Sequence, residues 1–234
     1  MDQMQSDRAI ELRLVLRVEP WRWSDRQLPP ELTIDDYVGW DAYFADCLAD
    51  AGVTGVKPVF PGCSFADAFA IIENEFMLRI IEEELETSRI LELQHADGGQ
   101  YDLNDVSPLE GGCVMHDGDE LLIVPNCCGE LVDLDNWKAA LRERPFDGTV
   151  WIGHPEAGIS FLGDEVTLRP RIRRPQEGEF TITVAELQQA VERAEENLDE
   201  FSTRLLARIG EMIDNPELAR RVCDYLLPRM DASE

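Results

Sequence analysis

Residues 113–124 read CVMHDGDELLIV. Two apolar runs, 113–116 and 121–124, flank Asp117-Gly118-Asp119-Glu120. A glycine between acidic residues, bounded by β-prone segments, predicts a β-hairpin. Both faces of the second run are apolar, which places the hairpin in the middle of a sheet. Working outward, Ile10, Leu12, Leu14, Leu16 and Val18 alternate with Glu11, Arg13, Val15, Arg17 and Glu19, the period of a half-buried strand. Strands are also predicted over 149–153, 159–162 and 166–172, the last two joined by Gly163-Asp164, and Phe180 with Ile182 suggests a short addition. The fold class read from this pattern is α+β, with a mixed or mostly antiparallel sheet and flanking helices.

Helical spacing appears on both sides of the strands. Thr33, with Asp36 three residues on, is expected to open a helix with the face Tyr37, Trp40, Phe44, Leu48 and Ala51, stopped by Gly52. A short strand over 53–60, interrupted by Pro58, is expected next. Ser64 then caps a long helix with the face Phe65, Phe69, Ile72, Phe76 and Ile80. Residues 97–112 read as a loop, and Asp133 or Asp135 caps a short helix through Leu141. After Arg174 the character changes. Thr183 and Glu186 form a capping box. Leu187, Val191, Ala194, Leu198, Phe201, Leu205, Ile209 and Met212 then recur at spacings of four and three. Asn215-Pro216 ends that helix and starts another carrying Leu218, Val222, Tyr225 and Leu226. The expected organisation is an α+β domain over residues 1–174 and a helical C-terminal segment over 175–234. The second helix is too short to cover the stripe. The remainder is expected to meet the α+β core or a second copy of the chain, and a homodimer through these helices is the expectation. Glu192, Glu195, Glu196, Asp199 and Glu200 oppose it by like-charge repulsion.

The chain has 234 residues and a formal net charge of −27. Such a charge repels DNA, RNA and anionic membranes, so neither nucleic-acid nor membrane binding is expected; it fits attraction to a basic partner protein, mimicry of nucleic acid, or an acidity common to a whole proteome that speaks only of solubility. No apolar run approaches the roughly 20 residues of a membrane span. The first eight residues are polar and charged, unlike a secretory signal, so the expected location is the cytoplasm. Reduced thiols are therefore expected at Cys47, Cys63, Cys113, Cys127, Cys128 and Cys223.

Between strand and helix, from Pro125 to Trp137, lies PNCCGELVDLDNW, the most compact group of reactive side chains in the chain. Three chemistries can be weighed on it and its surroundings. Zinc would draw on Cys113, His116, Cys127 and Cys128. A hairpin centred on Gly118-Asp119 sets Cys113 opposite Val124 and His116 opposite Leu121. Cys127 then lies roughly 20 Å from His116 along the partner strand, so no metal site is expected. A thiol nucleophile would be Cys127 or Cys128 with His154 as base, both following strands that could end together. Alternation puts Arg169, Arg171 and Arg173 on one strand face, and Arg174 follows. That stripe is either neutralised by neighbouring carboxylates or an anion or partner site. Neither a phosphate-binding glycine loop nor a dinucleotide fingerprint occurs, and no cofactor is expected.

PNCCGELVDLDNW, followed by WIGHP from Trp151 to Pro155, resembles a pattern in small uncharacterised bacterial proteins, some of them similar to immunity proteins that neutralise secreted toxins. The resemblance implies a binding protein without chemistry of its own. Two functional expectations follow. One is an acidic cytoplasmic protein-interaction protein, immunity-like. The other is a thiol-dependent hydrolase or transferase using Cys127 or Cys128 with His154.

Overall fold

The computed structural model describes residues 9–32, 36–87, 103, 107–144, 147–170 and 178–228. The period-two run becomes β1 (Ile10–Arg17), with Ile10, Leu12 and Leu14 buried and Arg13 exposed. Toward its end Leu14, Val15 and Leu16 are all buried, so both faces are covered there. β2 (Phe65–Asp67) pairs antiparallel with this end, Val15 opposite Asp67 and Arg17 opposite Phe65. The hairpin is β3 (Gly111–Asp117) and β4 (Glu120–Ile123), turning on Gly118 at φ 59°. Gly118 N–H donates to the Ala9 carbonyl at 3.5 Å, which brings the end of β3 to the start of β1. The strand order is β2-β1-β3-β4. β3 is therefore interior and β4 an edge, a correction to the expectation that the whole hairpin is central.

A second antiparallel sheet runs β5-β6-β7-β8 in order, from β5 (Asp147–Val150), β6 (Ala157–Leu162), β7 (Glu165–Arg169) and β8 (Phe180–Thr183). The Gly163-Asp164 turn sets Leu162 opposite Glu165. Its interior residues Ile159, Val166 and Leu168 are fully buried. The fold is thus α+β, with two antiparallel sheets in place of one.

The first helix, α1 (Tyr37–Asp50), is capped by Asp36, whose side chain accepts from Gly39 N–H. Thr33, its expected first residue, lies outside the described residues. The strand expected over 53–60 is absent. That segment is irregular, with a single bridge from Pro58 to Ala66, because a proline has no N–H for a ladder. The long helix expected from Ser64 is also corrected. Phe65, Ala66 and Asp67 are extended in β2, and Asp67 then caps α2 (Ala68–Ile72) by accepting from Ala70 N–H at 2.9 Å. A break follows at Asn74, whose side-chain oxygen accepts from Phe76 N–H at 3.0 Å before α3 (Phe76–Thr87) begins. Short polar side chains satisfy orphan amides at each break, which outweighs the helical spacing of the phenylalanines.

A helix α4 (Leu134–Arg142) follows the hairpin. The capping box is present at α5 (Val184–Gly210): Glu186 accepts from Thr183 N–H at 2.6 Å and Thr183 Oγ1 accepts from Glu186 N–H at 3.1 Å. Asn215 caps α6 (Pro216–Leu226), with Pro216 in its first turn. Tyr225, expected on the inner face of α6, is 38% exposed, and Cys223 is buried in its place. The stripe on α5 is covered within one chain: Leu187, Val191, Ala194, Leu198, Phe201, Leu205 and Ile209 are all at most 5% exposed. The stripe therefore belongs to the core. No helix among the described residues is long and apolar enough to cross a membrane.

The chain divides into two compact units. One holds the described residues of Met1–Leu14 and Glu110–Asp199, the other those of Val15–Leu109 and Glu200–Arg229. The division runs through β1 and α5.

In the second unit Phe201 is fully buried and packs edge-on against Phe69, with ring centroids 6.2 Å apart. Phe201→Ala should lower the unfolding free energy by about 3–5 kcal/mol in urea titration. A loss below about 1 kcal/mol would place Phe201 outside the core.

Candidate functional site

The PNCCG and WIGHP segments meet in the first unit. Beyond β4, Asn126 N–H donates to the Ile152 carbonyl at 2.6 Å, and His154 N–H donates to the Cys127 carbonyl at 3.0 Å. The Asn126 side chain donates to the carbonyl of Pro155, which follows a cis peptide bond from His154. On the other side, Gly111 N–H donates to the Gly129 carbonyl at 2.8 Å, and Glu110 bridges Glu130. Three segments are thus clasped by their backbones.

Two glycines are required by this approach. A Cβ at Gly153, where φ is +91°, would lie 2.3 Å from the Cys127 carbonyl oxygen. One at Gly129 would lie 2.7 Å from the Gly111 carbonyl oxygen. The glycine is needed at 129 for space, so the left-handed turn falls on Cys128, at φ 64°. That is an uncommon conformation for a residue with a Cβ.

Cys127, Cys128 and His154 are all exposed. The expected convergence of Cys127 and His154 therefore occurs, but through the backbone. The Cys127 thiol contacts the His154 carbonyl oxygen at 3.5 Å. An amide carbonyl is too weakly basic to take a thiol proton, so this contact does not activate a nucleophile. The His154 imidazole packs edge-on against Trp151, 4.5 Å between centroids.

Behind the clasp sits a carboxyl group whose role the sequence reading missed. Of the two caps expected for α4, Asp133 and Asp135, Asp133 makes no capping hydrogen bond to it. Instead its side chain accepts from Glu130 N–H at 2.8 Å, and the Glu130 side chain accepts reciprocally from the Asp133 backbone. The spacing Glu-x-x-Asp at 130–133 carried that signal, in the manner of a capping box. Asp133 also bonds the Trp151 side chain. Burial first, and the neighbouring Glu130 next, push the Asp133 carboxyl up to about 6. Burial, then Glu110, also raises Glu130. The Cys113 thiol is pushed up to about 12 by burial and then by Asp133, which leaves it a protonated, inert core group.

The four cysteine and histidine residues weighed for zinc are distributed differently. Cys113 is buried and the two adjacent thiols are exposed. His116 is half-buried opposite Leu121, as expected, but a bulge between Met115 and His116 sets Met115 opposite Ile123, so the expected pairing of Cys113 with Val124 does not hold. Burial, followed by Arg13, lowers the His116 pKa. Among the described residues no three His, Cys, Asp or Glu side chains gather as metal ligands. Arg169 bonds Glu179 and donates to Ser160 Oγ at 3.2 Å, a neutralised cation. Arg171, Arg173 and Arg174 lie outside the described residues. No family model, no curated protein and no solved structure matches the chain.

A carboxyl that holds its proton more tightly in the fold makes low pH favourable. The contribution of Asp133 is full below its ordinary value of 3.8 and is lost as pH rises through about 6. Asp133→Asn keeps an oxygen for Glu130 N–H and cannot ionise. The urea midpoint of the native protein should therefore fall relative to that of Asp133→Asn between about pH 4 and about pH 7. Parallel curves would show that Asp133 ionises without penalty.

Proposed function

We propose that this chain is an acidic protein-interaction protein of the cytoplasm, immunity-like in kind, which recognises a basic partner protein through its charged surface. The observation that carries this reading is how its cations are used. Arg13 is tied to Glu11, Arg22 to Glu19 and Glu83, Arg26 to Asp46 and Asp50, Arg204 to Glu73 and Glu200, and Lys138 to Asp135 and Glu195. These cations are tied to carboxylates of the same chain, and the chain keeps a formal charge of −27. Isolated carboxylates are costly to bury, so the surplus faces water. Such a field steers a basic protein toward the surface and repels nucleic acid. The resemblance of PNCCGELVDLDNW and WIGHP to immunity-like proteins points to the same class, a stoichiometric binder.

A thiol-dependent hydrolase or transferase is the second reading, and the backbone bridge between Cys127 and His154 is what favours it. The two readings separate on one substitution. A partner retrieved by the native protein at low ionic strength should also be retrieved by Cys127→Ser/Cys128→Ser, and should be released near 1 M salt, where the screening length is about 3 Å. Retention at high salt would contradict electrostatic recognition. Loss of the partner on removing the thiols would favour the thiol reading.

A further inference from the structure

We propose that the outward face of α1, with the depression beside it, is the docking surface for a basic amphipathic segment of the partner protein. This rests on the basic-partner reading above and assigns it a place.

The inner face of α1 is conventional: Tyr43, Phe44, Cys47 and Leu48 are buried. The outer face is not polar throughout. Val38, Ala42, Ala45 and Ala49 are all exposed, at helical spacings of four, three and four. They form one apolar line along the helix. Val38 is 82% exposed, and Leu28 on the adjoining segment is 51% exposed. Beside this line lies a depression of about 320 Å³, bounded by Arg26, Pro29, Gly39, Ala42, Tyr43 and Asp46. It has room for a large apolar side chain, and the alanines allow a second helix to approach closely.

The surface is held in shape. Trp21 and Trp40 meet edge-on at 6.4 Å, and Trp40 and Tyr43 at 6.0 Å. The Tyr43 hydroxyl donates to the Arg26 carbonyl at 3.3 Å. A docking segment would therefore find its contacts already ordered, which lowers the entropy cost of binding.

Charge selects the partner. Described residues 24–32 and 36–50 hold six acidic side chains, Asp25, Glu31, Asp36, Asp41, Asp46 and Asp50, and one basic one, Arg26. The C-terminal end of α1, where Asp46 and Asp50 stand, also carries the negative end of the helix dipole. Arg26 already neutralises Asp46 and Asp50, which leaves Asp25, Glu31, Asp36 and Asp41 as the carboxylates on this surface without an ion pair among the described residues. Its guanidinium donates to Asp50 from Nε at 2.6 Å and from Nη2 at 3.1 Å, and to Asp46 from Nη1 at 2.9 Å. An apolar line with acidic borders fits a helix that carries aliphatic side chains on one face and Arg or Lys at its edges. Leu162, 81% exposed at the end of β6, is another bare apolar side chain and serves as a control.

The test uses the full chain and three probes: a synthetic amphipathic helix of leucine and lysine, its leucine–glutamate counterpart, and polylysine. Affinity is measured by calorimetry at low ionic strength for the native protein and for Val38→Arg, Ala42→Arg and Leu162→Arg. Circular dichroism checks each fold. The leucine–lysine helix should bind the native protein and Leu162→Arg alike, and Val38→Arg and Ala42→Arg roughly tenfold or more weakly. On the native protein, that helix should slow amide exchange in α1. Equal affinity for all three variants, or exchange protection elsewhere, would overturn the face and leave the basic-partner reading standing. So would binding of polylysine without binding of the amphipathic helix. Equal binding of the leucine–glutamate helix would show that charge does not select. Failure of both cationic probes to bind would overturn the basic-partner reading together with the face.

Discussion

The apolar stripe of α5 is the constraint on which both compact units depend. Val191, Ala194 and Leu198 belong to one unit, and Phe201, Leu205 and Ile209 to the other. Each large side chain removed from water contributes roughly 1.5–3 kcal/mol, and a fold with this much like charge on its surface needs that contribution. In the second unit the stripe meets Phe69. Arg204 stands 5.2 Å from the Phe69 ring, and Arg208 donates to the Ile72 carbonyl at 3.0 Å. Leu109 N–H donates to the Leu226 carbonyl at 3.0 Å, which ties the segment before β3 to the end of α6. Ion pairs at the border of the stripe are exposed and contribute little beside the burial.

The PNCCG–WIGHP clasp is a second, local constraint in the first unit. Its two segments are joined chiefly through backbone groups, with the Asn126 side chain adding a bond to the Pro155 carbonyl; its glycines are fixed by carbonyl oxygens less than 3 Å from any added Cβ, and its thiols are exposed. This motif therefore draws attention in the sequence for architectural reasons. Over the whole chain, 48 carboxylates outnumber 21 lysines and arginines. The contact that Cys127 makes is to the His154 carbonyl oxygen, which is not a general base.

Much of this was legible in the sequence where local chemistry and tertiary packing agree. Thr183 with Glu186, Asn215 with Pro216, and the Asp-Gly-Asp turn each fix a boundary by satisfying backbone groups nearby, so no distant contact could overrule them. The segment 53–76 was misread because Phe65, Phe69, Ile72 and Phe76 keep helical spacing while Asp67 and Asn74 interrupt it. Pairing of Phe65 with Arg17, far away in the chain, decides the matter. The meeting of Cys127 with His154 was legible because both follow strands. The bond between Asp133 and Trp151 was not, since nothing local marks a tryptophan as the partner of a carboxyl beyond the next helix. The aromatic face around α1 escaped notice for a similar reason. Trp21 and Trp40 belong to different elements, and only packing joins them.

The most direct test of the clasp compares the urea unfolding of Gly153→Ala with that of Cys127→Ser/Cys128→Ser. If the motif's information lies in its backbone, Gly153→Ala loses at least about 2 kcal/mol, because the new Cβ meets the Cys127 carbonyl and the residue must hold a left-handed φ. The double serine variant then stays within about 0.5 kcal/mol of the native protein, as exposed substitutions do. A tolerated alanine at 153 together with a strongly destabilised serine pair would contradict this, and would return the thiols to the centre of the site.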